Sequence, residues 1–114
     1  MSRIVTLNQN TEFRRAYNRG KNKSHPALVT YAVKNRAGIC RIGITTGKKT
    51  GGAVERNRCR RIIRAAYASL ADECAGAWDI VFVSRFRTKE LKSTDLAVIM
   101  REQLTALGVI GEPR

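Results

Sequence analysis

The segment Ala53-Val54-Glu55-Arg56-Asn57-Arg58-Cys59-Arg60-Arg61-Ile62-Ile63-Arg64-Ala65-Ala66-Tyr67 sets five arginines against one acid, Glu55. Within and just beyond it, Cys59, Ile62, Ile63, Ala66, Tyr67 and Leu70 fall at i, i+3, i+4, i+7, i+8 and i+11. That spacing gathers apolar side chains into one stripe of a helix. Wound at about 3.6 residues per turn, Arg56, Asn57, Arg60, Arg61 and Arg64 collect on the opposite face, with Arg58 at its margin. The stretch therefore predicts a helix that packs by one face and is cationic on the other.

A solvated charged face is the plainer alternative. Solvated helices usually interleave acids with bases at i,i+4, whereas Arg56, Arg60 and Arg64 are like charges at that spacing and repel by about 0.2–0.5 kcal/mol per pair. A polyanion would relieve that repulsion. Arginine also suits phosphate better than lysine does, because its planar guanidinium donates two parallel hydrogen bonds and stacks on bases. The pattern favours nucleic-acid contact.

The whole chain agrees in charge. Its 114 residues carry 22 Lys and Arg against nine Asp and Glu, a formal net charge of +13. Such a charge costs self-repulsion in the free protein and marks binders of nucleic acid or anionic surfaces. Residues 1–64 hold 16 of the bases and two acids, while residues 65–114 hold six and seven, so the excess lies wholly in the first part. The length predicts one RNA-binding domain, residues 1–114, around a single core. No apolar run is long enough for a membrane span and no secretory pattern opens the chain, so a soluble, cytoplasmic protein is expected. The three cysteines, Cys40, Cys59 and Cys74, are odd in number and form no C-x-x-C, and His25 is the sole histidine. Both a disulfide framework and a structural zinc site are disfavoured.

Taken in order, the chain opens with a short helix from Asn10 to Arg19, with Glu12 near its positive end and Gly20 as its stop. Phe13 and Tyr17 share a face of it. Core packing and a stacking platform for single-stranded bases both fit that pair, the second because Arg14, Arg15, Arg19, Lys21 and Lys23 surround it. Lys21 to Pro26 reads as a loop. Leu28 to Val33 and Cys40 to Thr46 read as strands, paired antiparallel through the turn-rich Asn35-Arg36-Ala37-Gly38. On the second strand Arg41, Gly43 and Thr45 make a small polar face, open either to a ligand or to solvent. Gly47-Lys48-Lys49-Thr50-Gly51-Gly52 lacks the spacing of a nucleotide-binding phosphate loop and reads as a flexible basic loop. Trp78 to Arg85 predicts a central strand joined in parallel to the preceding one by a crossover. A last helix from Ser93 to about Gly108 carries Leu96, Ile99, Met100, Leu104 and Leu107 on its apolar side and an inert, mixed polar face.

The expected fold class is α+β, helices on a small mixed sheet in the order α-β-β-α-β-α, with room for one extra short strand. An active site belonging to the chain itself is not expected. His25 has no motif around it, and Glu12 and Glu55 have plain roles at helix starts. The clustered carboxylates that two-metal phosphodiester cleavage requires are missing from the sequence. Neither a catalytic residue nor a protein-bound metal is predicted.

Gly47-Lys48-Lys49 followed by Ala53 to Arg64, with Arg56-Asn57-Arg58 at its centre, resembles the signature of the protein subunit of bacterial ribonuclease P. Phe13 and Tyr17 before a Gly, Tyr31 on its strand, Arg41-Ile42-Gly43 and Arg85 at the end of an apolar strand extend the likeness over about residues 7–107. The sequence departs at Tyr17, where Phe is more usual, and at Thr6, where a basic residue is common. The resemblance implies an accessory subunit of an endoribonuclease that removes the 5′ leader from precursor tRNA, with catalysis in a large RNA that requires Mg2+. It implies that Arg56, Asn57, Arg58, Arg60, Arg61 and Arg64 face the RNA subunit. It assigns Phe13, Tyr17, Tyr31, Thr45, Lys49 and Arg85 to a cleft for the single-stranded leader. It also implies a left-handed crossover through the arginine helix, against the usual hand. Partners are then the catalytic RNA and precursor tRNA, with neither membrane nor DNA. The competing readings are a structural ribosomal RNA-binding protein or RNA chaperone and, more distantly, a DNA-binding helix, which the flanking strands fit poorly.

Overall fold

A computed structural model of the chain describes residues 4–111. Along them run helix α1 (Asn10–Arg19), strands β1 (Lys21–His25), β2 (Leu28–Lys34) and β3 (Arg41–Thr45), helix α2 (Ala53–Leu70), strand β4 (Trp78–Ser84) and helix α3 (Ser93–Ala106). The strands form one mixed sheet in the order β1-β2-β4-β3. The β3–β4 pair is parallel and the other two are antiparallel.

The α+β class and the parallel crossover through α2 agree with the sequence reading, and two expectations need correcting. Lys21 to His25 is a strand rather than a loop, paired residue for residue with β2 from Lys21↔Ala32 to His25↔Leu28. Nor do β2 and β3 pair with each other. Strand β4 lies between them, because its apolar run offers both edges and both faces for burial and so takes a neighbour on each side.

Strand alternation divides the sheet into two faces. Leu28 and Ala32 of β2, Ile42 of β3, and Ile80 and Phe82 of β4 meet Ile63, Ala66 and Tyr67 of α2 and Leu96, Met100 and Leu104 of α3 in the main core. The phase expected for α2 holds, with Cys59, Ile63, Ala66, Tyr67 and Leu70 buried. The opposite face is covered only in part by α1, where Leu7, Ala16 and Val81 form a second, smaller cluster with Phe13, Tyr31, Val33 and Val83. Thr6 adds a parallel bridge to Ile42 on the outer side of β3.

Gly20 stops α1 for a steric reason. A Cβ there would stand 2.4 Å from the Ala16 carbonyl oxygen and 2.9 Å from that of Ala32. The polar side of α3 is not inert, since Gln103 is buried and knits α3 to the first hairpin. Its Oε1 accepts from Thr30 Oγ1 at 2.6 Å and its Nε2 donates to the Leu28 carbonyl at 2.9 Å. The basic turn after β3 is anchored rather than flexible: Thr50 is buried with its hydroxyl 2.9 Å from that of Ser84, and Lys89 Nζ donates to its carbonyl at 2.9 Å. No helix of the described residues is long and apolar enough to cross a membrane.

Candidate nucleic-acid interface

On the α1 face, the register lines side chains up in three rows across the sheet. Arg41, Asp79 and Val33 form the first row, Gly43, Val81 and Tyr31 the second, and Thr45, Val83 and Val29 the third. Helix α1 lies over the first two rows and reaches the third only where Tyr17 meets Thr45.

The first row is locked by charge. Asp79, 1% exposed, accepts from Arg41 Nε at 2.8 Å and Nη2 at 2.9 Å, and from Asn35 Nδ2 at 2.7 Å. Arg41 also pairs with Glu12 at 2.9 Å, and Glu12 in turn accepts from the backbone N–H groups of Asn8 and Gln9 at the start of α1. These bonds to the carboxylates raise the already high Arg41 pKa further. Arg41, held between the buried Asp79 and Glu12 of α1, thus fixes the helix to the sheet.

In the second row Gly43 makes space for the Phe13 ring. A Cβ at Gly43 would lie 2.5 Å from Phe13 Cε1 and Cζ, so this position of β3 is closed by an aromatic ring rather than open to a ligand. Gly43→Ala is therefore expected to cost about 1–3 kcal/mol by overpacking, read as a lower urea midpoint. An unchanged midpoint would show that the Phe13 ring moves aside freely.

Beyond Phe13, Tyr17 stands edge-on to Tyr31 with ring centroids 5.0 Å apart, and its hydroxyl lies 2.7 Å from Thr45 Oγ1. Tyr17 remains 36% exposed, while Tyr31 packs against the second cluster. The third row is the floor of a groove of about 920 Å3, in which Thr45, Val83 and Val29 are flanked by Lys49, Arg85, Arg87 and the exposed ring of Phe86. Strand alternation and the anchored turn after β3 thus bring Thr45, Lys49 and Arg85 onto this groove, whereas Tyr17 and Tyr31 stand outside its lining and reach it through the Tyr17–Thr45 hydroxyl contact. Phe13 is set apart, packed on Gly43 at the head of a smaller hollow.

That hollow, about 280 Å3 along the outer side of β3, has Leu7, Phe13, Gly43 and Ile44 within it and Arg60, Arg61 and Arg64 of α2 on its rim. Asn57, Arg58, Arg60, Arg61 and Arg64 are exposed and Arg56 is half-buried. Among the described residues none of these five arginines is ion-paired; Arg60 donates only to the Asn57 side chain, at 2.9 Å. The cationic face of α2 and the aromatic face of α1 therefore meet at Phe13.

Phe86 escapes the sequence reading, which treats the residues after Arg85 as a polar connector. It is 63% exposed, and Lys89 Nζ sits 4.3 Å from its ring centroid. The available signal was an aromatic between Arg85 and Arg87, the same interleaving that drew attention to Phe13 and Tyr17.

The reactive side chains are otherwise occupied. His25 Nδ1 accepts from the Ala27 N–H at 3.0 Å and so caps the β1–β2 turn. Burial pushes the thiols of Cys40 and Cys59 up and that of Cys74 to about 12, so all three stay protonated at neutral pH. Among the described residues no three His, Cys, Asp or Glu side chains converge as a metal site. What the surface offers is phosphate-binding cations beside rings for stacking. This is the surface of a basic, single-sheet RNA-binding protein.

Comparison with known proteins gives the class its family. A family model described as Ribonuclease P matches residues 1–108. The chain is 38% identical over 96 residues to the Ribonuclease P protein component of Clostridioides difficile (strain 630), covering 83% of this chain and 84% of that one. It is 35% identical over 104 residues to the protein of the same name from Clostridium botulinum (strain Loch Maree / Type A3), covering 90% and 94%. The solved RNase P protein of Staphylococcus aureus matches the fold with a TM-score of 0.82 at 25% identity, over 96% of this chain and all of that one. The chain belongs to the ribonuclease P protein family, and its role is that of the protein subunit of this ribonucleoprotein endoribonuclease in tRNA 5′ processing. Membership also decides against a ribosomal protein or a general chaperone.

Proposed function

We propose that the two surfaces divide the RNA between them. The face of α2 carrying Arg56, Asn57, Arg58, Arg60, Arg61 and Arg64 docks on the catalytic RNA. The groove lined by Thr45, Lys49 and Arg85, with Tyr17 and Tyr31 beside it, takes the single-stranded 5′ leader of precursor tRNA, with Phe13 where the two surfaces meet. The observation that carries this reading is the open third row of the sheet. It is a strip one side chain deep, with rings and guanidinium groups along it, which suits a strand whose bases are unpaired and sequence-variable.

On this proposal the protein supplies position and charge and the RNA the chemistry, in the cytoplasm. Magnesium supplies Lewis-acid and nucleophile-generating chemistry when bound. The described residues of the chain do not fit a resident ion, because they bring no set of acidic or imidazole ligands together. Arg and Lys instead neutralise phosphates that would otherwise repel one another as leader and RNA subunit approach. The protein is therefore expected to matter most where magnesium is scarce.

The test is precursor-tRNA cleavage at low magnesium with catalytic RNA alone, protein alone and the two together. Activity in the mixture alone supports the division of labour; a mixture no faster than RNA alone sinks it. Within the groove, Phe86→Ala is expected to weaken holoenzyme binding of precursor tRNA by about 1 kcal/mol, near fivefold, and to leave mature tRNA unaffected. Equal losses for both tRNAs would remove Phe86 from the leader path.

A further inference from the structure

The flank of α1 turned away from Phe13 and Tyr17 holds a second basic site. Arg15, Arg19, Arg36 and Arg41 surround a hollow of about 500 Å3 beside the β2–β3 loop. None of Arg15, Arg19 and Arg36 belongs to either surface described above. We propose that this hollow is a further binding site for the phosphate backbone of RNA, used together with the α2 face and the groove. It rests on the RNA-subunit reading given above.

The four arginines are held unequally. Arg41 is fixed by Asp79 and Glu12. Arg15 Nη2 donates to the Lys34 carbonyl at 2.7 Å, and its Nη1 lies 4.0 Å from Asp79, which leaves its remaining N–H groups and 41% of the side chain exposed. Arg36 stands on a loop braced by Asn35, whose Oδ1 accepts from the Ala37 N–H at 2.9 Å while its Nδ2 donates to the Ile39 carbonyl at 2.9 Å and to Asp79. A single buried carboxylate therefore orders one wall of the hollow and the loop on its other side. Arg19 and Arg36 are exposed and form no hydrogen bond or ion pair among the described residues.

Glu12 pairs with Arg41, and Asp79 with Arg41 and more distantly with Arg15, so the hollow keeps an excess of positive charge. Arg15, ordered with N–H groups to spare, loses less freedom on binding, and the unpaired forks of Arg19 and Arg36 match the paired oxygens of a phosphodiester. An apolar or cationic ligand has nothing to recognise there. Since α1 stands between this hollow and the leader groove, the strand bound here is a second segment of RNA, either of the catalytic RNA or of the tRNA body or distal leader.

The experiment uses full-length protein carrying Arg19→Ala and Arg36→Ala together, since neither side chain braces the fold. Binding is measured across salt for the ribonuclease P RNA of the same organism, and then for precursor and mature tRNA on the reconstituted holoenzyme. If each arginine neutralises one phosphate, the slope of log affinity against log salt falls by roughly 1.4 to 1.8 in one of these arms. Between about 50 and 200 mM salt the variant then loses roughly seven- to twelvefold less affinity than the parent. A change with the RNA subunit alone assigns the site to that subunit; a change with tRNA assigns it to substrate, and a loss confined to precursor places it on the leader. Unchanged affinity and slope in all arms, with wild-type stimulation of cleavage intact, overturns this site without touching the role of α2. Arg36→Lys in place of Arg36→Ala, with Arg19→Ala kept, is expected to restore about half of the lost slope, which a purely structural role for the loop would not predict.

Discussion

Replacing Asp79 by alanine is expected to lower the unfolding free energy by about 3–5 kcal/mol, a large share of the roughly 5–15 kcal/mol that holds an ordinary domain together. The carboxylate is the dry member of its network, 1% exposed, and three side chains converge on it at 2.7 to 2.9 Å or, for Arg15, at 4.0 Å. Its removal leaves the Arg41 guanidinium half-compensated and the Asn35 amide short of an acceptor. Arg41 keeps Glu12 and is 25% exposed, so the loss belongs near 3 kcal/mol rather than 5. Chemical denaturation of the free protein checks this. Asp79→Asn, which retains one acceptor, is expected to fall between the two, and a loss under about 1 kcal/mol would show that solvent replaces the carboxylate.

The second large effect is on assembly. With Arg60, Arg61 and Arg64 all changed to alanine, affinity for the catalytic RNA is expected to fall by on the order of 1000-fold or more, because hydrogen bonds to charged groups contribute about 1.5–3 kcal/mol each. The salt slope should fall by roughly 2.1 to 2.7. Stability should move the other way. The substitutions remove like-charge neighbours at i,i+4 and introduce the best helix former, so the melting temperature of the free protein is expected to rise slightly. Opposite signs for binding and stability would identify charges kept for a partner. A fall in both would mean that these arginines brace the fold.

The phase of α2 was legible because its two faces differ in kind and the difference repeats over four turns. Strand β4 was legible for the same reason that misled the pairing of its neighbours: an apolar run states that it is buried but not between which partners. Turn composition at residues 35–38 suggested that β2 and β3 meet, yet backbone hydrogen bonding to β4 satisfies both. Strand β1 was invisible, since Lys21, Asn22, Lys23, Ser24 and His25 are all exposed, and a strand at a sheet edge needs no apolar alternation to pair.

The site divides along similar lines. Cations announced the α2 face, and aromatics among cations the Phe13 and Tyr17 face of α1; the cleft itself came from the family resemblance, and the residues that position these surfaces gave no signal. Asp79 lies inside an apolar strand, and its worth depends on a cross-strand neighbour, Arg41, 38 positions away. Gln103 looked like part of a solvated helix face until the β1–β2 hairpin was seen beneath it. Gly43 read as an opening and proved to be the seat of a ring.

The sheet order also bears on how the chain is made. The strand that joins the two halves of the sheet is the last of the four to be synthesised, so β2 and β3 have no partner between them until residues 78–84 emerge. At roughly 5–20 residues per second, the interval between completing β3 and completing β4 is about two to eight seconds. During that time the β1–β2 hairpin is the one part of the sheet that can pair, and the basic residues made rise to 16 of the 22. Folding of this protein is a late, C-terminal event, and a chain that stops short of β4 has no sheet to build.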